Sequence, residues 1–103
     1  MLQGKMVKIR FRRNFAEQKL WVFVGRVREF TDHWIQVEGK AIISLPLYID
    51  EEPRMIVIPR DNIAHIRILP ETVNLDHLSV EKQGMRRFLR IEGAPDTSVG
   101  EEI

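Results

Sequence analysis

Between residues 6 and 69 the chain is built from short runs that alternate apolar and polar residues, separated by turns of a few residues. A period of two is a strand signal, because successive side chains leave a strand on opposite faces. "MVKIRFRR" shows it cleanly: Val7, Ile9 and Phe11 share one face, and Lys8, Arg10 and Arg12 share the other. That spacing predicts a half-buried strand with a cationic outer row. "LWVFVGRVREF" is a longer strand, apolar on both faces in its first half, with Gly25 near its middle. A glycine inside a strand marks a bend or bulge, and a long bent strand lets a small sheet curl closed. "HWIQVEGKAIISL" predicts a strand, a turn at Glu38, Gly39 and Lys40, and a second apolar run. "RMIVIP" and "IAHIRIL" are strands on either side of the tight turn "RDN". About five strands in roughly 65 residues predict a mainly all-β domain over residues 1–70, a bent five-stranded antiparallel barrel or a sandwich.

Residues 71–103 read differently. Leu75, Leu78, Met85, Phe88 and Leu89 have helix-compatible spacing. They predict a C-terminal extension with a helix over residues 75–91, although "RFLRI" suits a strand equally well. "EGAPDTSVGEEI", small, polar and acidic, predicts a mobile tail over residues 92–103. "MIVIP" is apolar on both faces, so its outer face needs a cover: the C-terminal helix or another subunit. An open barrel also leaves strand edges with unpaired N–H and C=O groups. Edges of that kind favour pairing between subunits, and hence a homo-oligomer.

Length and composition narrow the classes further. A chain of 103 residues is one domain, with about two-thirds of its unfolded surface buried on folding. There is no cysteine, so disulfides, thiolate metal sites and a cysteine nucleophile are all excluded. "MLQGKMVKIR" has no apolar signal segment, and the longest apolar run, "AIISLPLYI", is far short of a membrane span. The expectation is a soluble, cytoplasmic protein without membrane contact. Residues 1–48 hold nine Lys or Arg against four Asp or Glu, a net +5, while residues 49–103 hold seven against eleven, a net −4. A basic half suits a polyanionic partner, or simply a solvated face.

Enzyme chemistry has little support. The chain lacks G-x-G-x-x-G, the P-loop, G-x-S-x-G and H-E-x-x-H. His33, His65 and His77 lack close ligand spacing, and Asp50, Glu51 and Glu52 precede a proline in what reads as a solvated turn. Asp32 and His33 with another histidine make only a weak metal site. The expectation is no catalytic site, no cofactor and no metal. Binding has more support. Lys8, Arg10 and Arg12, with Arg26 and Arg28 on a strand that pairs with theirs, make a basic strip, and phosphate contacts supply sequence-independent affinity. Trp34 falls on the polar face of its strand, where an aromatic either stacks a base or packs an interface. Arg60 offers a planar guanidinium in a tight turn.

In chain order these segments resemble a known family. "VFVGRVREFTDHWIQV" resembles the first motif of the Sm, Sm-like and Hfq family, and "IVIPRDNIAHIRIL" resembles the second. The resemblance covers roughly residues 5 to 70. It implies a bent five-stranded barrel whose subunits join edge to edge into a ring, a hexamer or heptamer. It implies single-stranded RNA, uridine- or adenine-rich, bound at the ring pore. Carried over by position, the RNA-binding residues are Asp32, Trp34, Gln36, Arg60, Asp61 and Asn62; His33, between Asp32 and Trp34, joins them, and the basic strip of Lys8, Arg10, Arg12, Arg26 and Arg28 read above becomes a rim. Ile35 takes the place of the family's Met and Gln36 that of its Asn. Pro59 and Arg60 stand where Arg and Gly are expected, and in the Hfq version of the turn Arg60 aligns with a basic residue that contacts RNA. Gly25 to Asp32 is one residue longer than the family pattern, which a single β-bulge near Thr31 would absorb. The competing reading is a structural or protein-interaction oligomer without nucleic acid, in which Trp34 is an interface aromatic.

Overall fold

The computed structural model describes residues 2–12, 21–44, 47–83 and 86–92. Its eight strands are β1 (Met6–Phe11), β2 (Trp21–Phe30), β3 (Trp34–Ser44), β4 (Leu47–Ile49), β5 (Arg54–Pro59), β6 (Ile63–Ile68), β7 (Asn74–Gln83) and β8 (Arg86–Glu92). A 3-10 turn, Arg60–Asn62, links β5 to β6. The first six strands form one antiparallel sheet in the order β6-β1-β2-β3. The far edge of β3 is shared: Ile42, Ile43 and Ser44 pair with β4, and residues 34–39 pair with β5. β7 and β8 form a second, two-stranded sheet.

Among the described residues this sheet does not close. β5 and β6 are consecutive in the chain, yet no ladder joins them. The expected five-stranded barrel is therefore corrected to an open six-stranded sheet, β4 being the extra strand. The reason lies at Pro59, whose φ of −57° and ψ of 135° lead into a single 3-10 turn. The chain turns aside there instead of reversing, so β6 travels on to pair with β1. Among the described residues this leaves one edge of β5 and one edge of β6 without a strand partner.

β1 is buried on both faces, with Met6, Val7, Lys8 and Ile9 all inaccessible. Its inward residues Val7 and Ile9 join Phe23, Val27, Ile35, Val37, Ala41 and Ile58 in an inner core. On the outer side Met6 joins Val22, Val24, Ile42, Leu69 and Val73 in a second core. Leu75, Leu78 and Val80 of β7 pack against that second core. The predicted helix over 75–91 is thus corrected to a hairpin. The three-residue spacing of Leu75 and Leu78 mimics a helix because the β7–β8 register shifts between Asn74 and Leu78. That irregularity lets both leucines reach the same core. Two ion pairs tie this segment down, Arg26 to Glu71 at 3.0 Å and Lys40 to Asp76 at 3.9 Å. Glu92 ends β8, and residues 93–103 of the expected tail lie outside the described residues, as does the loop at 13–19.

The hairpin does not cover the strand that was expected to need it. Met55 and Val57, on the outer face of β5, remain 46% and 56% exposed. The predicted turn at residues 38–40 is also absent, because β3 passes straight through it. Gly39 instead lies opposite Gly25 in the β2–β3 ladder. A Cβ on Gly39 would run into the Val24 carbonyl oxygen, and one on Gly25 into that of Glu38. The bend expected at Gly25 is thus a two-glycine crossing, where the backbones approach too closely for any side chain. The single bulge expected near Thr31 lies earlier, between Val27 and Glu29, and leaves Arg28 as the extra residue.

Candidate nucleic-acid interface

The β2–β3 connection is a tight turn held by its first residue. Thr31 N–H donates to the Trp34 carbonyl at 2.9 Å. Its hydroxyl oxygen accepts from the backbone N–H of His33 at 3.2 Å and of Trp34 at 3.0 Å. A threonine side chain that takes the backbone donors of the next residues replaces a longer loop with a fixed one. Asp32 and His33 are left exposed at its tip. The second turn is equally short. Pro59 presets the entry, and Ile63 N–H closes the single 3-10 turn on the Arg60 carbonyl.

The two turns lie side by side, and Arg60 binds them together. Trp34 and Pro59 are register partners across the β3–β5 ladder. The Arg60 backbone N–H donates to the His33 carbonyl at 2.9 Å, and its guanidinium donates to the Thr31 carbonyl at 3.0 Å. The same guanidinium stands over the Phe30 ring, 4.6 Å from its centroid. All three contacts go to residues 30–33. Asp32, His33, Trp34, Arg60, Asp61 and Asn62 are therefore gathered on one double turn, although 25 residues separate Trp34 from Arg60 in the chain. Gln36 lies one strand step further, opposite Val57 on the face that carries Trp34. Trp34 and Gln36 are half-buried, while Asp32, His33, Asp61 and Asn62 are exposed. The surface offers an aromatic flank, two amides, an imidazole and two carboxylates. Carboxylates repel phosphate but accept from the N–H groups of a base edge. Chemically the double turn is suited to bases more than to backbone phosphates.

The basic rim is not a free row. Lys8 is 1% exposed, on the face where Met6 and Val24 meet the C-terminal hairpin. The cationic outer row expected on β1 fails at that position because the sheet has a second layer. Arg10 is half-buried and Arg12 exposed. Arg26 donates to the Gly4 carbonyl at 2.8 Å as well as to Glu71. Arg28 holds Glu38 through two nitrogens, at 2.6 and 3.2 Å. These two arginines serve carboxylates of their own chain.

Three residues that make the double turn escaped the sequence reading. Phe30 seats the Arg60 guanidinium, Thr31 caps its own turn, and Pro59 sets the angle of the second. Thr31 was legible as a threonine three residues before a strand start, a pattern that commonly closes a turn. The Phe30–Arg60 contact had no local signal. Among the described residues, no group of three or more His, Asp or Glu side chains is placed to hold a metal, and no helix is long and apolar enough to cross a membrane. No protein-family model, curated protein or solved structure matches the chain.

Proposed function

We propose that this chain is an Sm-like module that binds single-stranded RNA on the double turn. The observation that carries the reading is the Arg60 clamp, which sets Trp34, Asp32, Asp61 and Asn62 on one rigid surface. A rigid site loses little conformational entropy on binding. Trp34 stacks a base, and Gln36 and Asn62 hydrogen-bond base edges. Uridine- or adenine-rich strands are the first candidates.

Assembly into a homo-oligomeric ring is part of the same proposal. The free edges of β5 and β6 support it, because each carries exposed apolar residues, Met55 and Val57 on one and Ile68 on the other. Pairing β5 of one subunit with β6 of the next removes both edges at once. Native mass spectrometry with and without a short oligouridine or oligoadenosine tests both parts together, reading subunit number and RNA uptake. Trp34→Ala and Arg60→Ala each weaken uptake if the reading holds. If neither variant alters it, the double turn is not the site.

The exposed outer face of β5 favours a second reading, an oligomer that serves protein contacts and takes no RNA. Under it Trp34→Ala lowers the subunit number, and RNA never appears in the spectrum.

A further inference from the structure

A second concave surface lies at the seam where the sheet fails to close. It is a cleft of about 350 Å³ between the ends of β1 and β2 and the length of β5. That volume is within the range of sites for small ligands, roughly 300–1,000 Å³. Its floor is apolar and aromatic: Phe11, Trp21, Ile56 and Ile58. Phe11 and Trp21 stack on each other with ring centroids 3.8 Å apart and planes 15° from parallel. Both rings are half-buried, so part of each faces the cleft. The exposed margin carries Arg12, Arg54 and Asn62.

The margin is built, not loose. Arg54 donates its Nε–H to Asp50 at 2.9 Å. Asp50 is 7% exposed, and the same carboxylate oxygen accepts the Ala41 N–H at 2.8 Å. The Arg54 guanidinium is thereby anchored through one nitrogen to a buried acid that is itself anchored to β3. On the other side, Arg12 N–H donates to the Asn62 carbonyl at 2.7 Å, which joins the end of β1 to the 3-10 turn. An aromatic floor, two guanidinium groups and one amide around a single volume define a ligand by chemistry. The ring system must be flat, one end must be anionic, and the ring edge must carry polar atoms.

We infer that this cleft binds a nucleoside monophosphate, with the base against Phe11 and Trp21 and the phosphate at Arg54. Guanidinium groups suit phosphate because their donors match two of its oxygens in one plane. Asn62 offers one donor and one acceptor to the edge of the base. The nucleotide is either free or the terminal unit of a strand. The site adjoins the Trp34 and Arg60 surface and shares Asn62 and Pro59 with it, but neither the Trp34 nor the Arg60 side chain lines it.

The test uses the chain's two tryptophans, Trp21 and Trp34. In Trp34→Phe, Trp21 is the single emitter, and titration with UMP or AMP gives a saturable change in its fluorescence. Uridine and adenosine, which lack the phosphate, bind at least tenfold more weakly. Arg54→Ala weakens UMP at least tenfold, and Arg54→Lys, which keeps the charge and loses the fork, falls between. Circular dichroism confirms that both variants are folded. No saturable change, nucleosides that match the nucleotides, or a folded Arg54→Ala with unchanged affinity would each overturn the inference. Equilibrium dialysis of labelled UMP with the wild-type chain separates the sources. A 5′-phosphorylated oligouridine displaces UMP if strand ends enter the cleft and leaves it bound if only free nucleotide fits. The Trp34 and Arg60 side chains do not line the cleft and Arg54 is no part of the double turn, so failure of Arg54→Ala to weaken UMP and failure of Trp34→Ala and Arg60→Ala to weaken RNA are distinguishable.

Discussion

Arg60→Ala measures how much of the double turn rests on one side chain. The substitution leaves the residue 60 backbone N–H on the His33 carbonyl, so only the guanidinium contacts are lost. The hydrogen bond to the Thr31 carbonyl at 3.0 Å contributes about 1 kcal/mol, since water competes for an exposed donor. The guanidinium over Phe30 contributes about 0.5–1 kcal/mol. Together the loss is about 1–2 kcal/mol. A domain of this size shifts by roughly 4–8 °C per kcal/mol, so Tm falls by about 5–15 °C. The assay is thermal unfolding without RNA, at one fixed protomer concentration, because self-association would make Tm concentration-dependent. Phe30→Leu, alone and with Arg60→Ala, completes a double-mutant cycle with a coupling of about 0.5–1 kcal/mol. A drop in Tm below about 2 °C would refute the clamp, and so would strict additivity in the cycle. Loss of RNA uptake by Arg60→Ala would then need another explanation.

Gly39→Ala places a methyl group against the Val24 carbonyl with backbone on both sides, so it costs about 3 kcal/mol or more in urea unfolding. Gly4→Ala, at φ 83° in open space, costs only about 1 kcal/mol of backbone strain and serves as its control. Removing residues 71–103 uncovers Met6, Val22, Val24, Ile42 and Leu69, and the truncated chain goes to the insoluble fraction or binds a hydrophobic dye strongly; a soluble, dye-silent product would contradict the two-layer packing. Asp50→Ala strands the buried Ala41 N–H and costs about 1–3 kcal/mol by urea unfolding, with Asp50→Asn recovering part of it.

Local chemistry accounts for what could be read in advance. Alternation marked β1 and the start of β3, because a strand's two faces alternate whatever surrounds it, and short apolar runs between turns marked β2, β5 and β6. "RDN" read as a tight turn and is one. Gly25 read as a bend and is a close backbone crossing instead, and its partner Gly39 read as a turn. A glycine signals only that a side chain is unwelcome, and whether a turn or a neighbouring backbone excludes it depends on the strand alongside. Leu75 and Leu78 misled for a similar reason, since a three-residue spacing fits a helix or an irregular strand. The candidate site was legible as two separate short segments. Their meeting through Pro59 and Trp34 was not, nor was the seat of Arg60 on Phe30.

The division between sequence and tertiary structure follows range. Residue order alone was sufficient for an all-β chain of short antiparallel strands, without cysteine chemistry and with Trp34 on a polar face. Each of those properties depends on neighbours a few positions away. Only the assembled fold decided that the sheet stays open, that Lys8 is covered, and that residues 74–83 become a second layer instead of a helix. It also decided that Asp32, Trp34, Arg60 and Asn62 share one surface. These outcomes depend on which strand lies beside which, and pairing between distant strands leaves no local mark in the sequence that forms it.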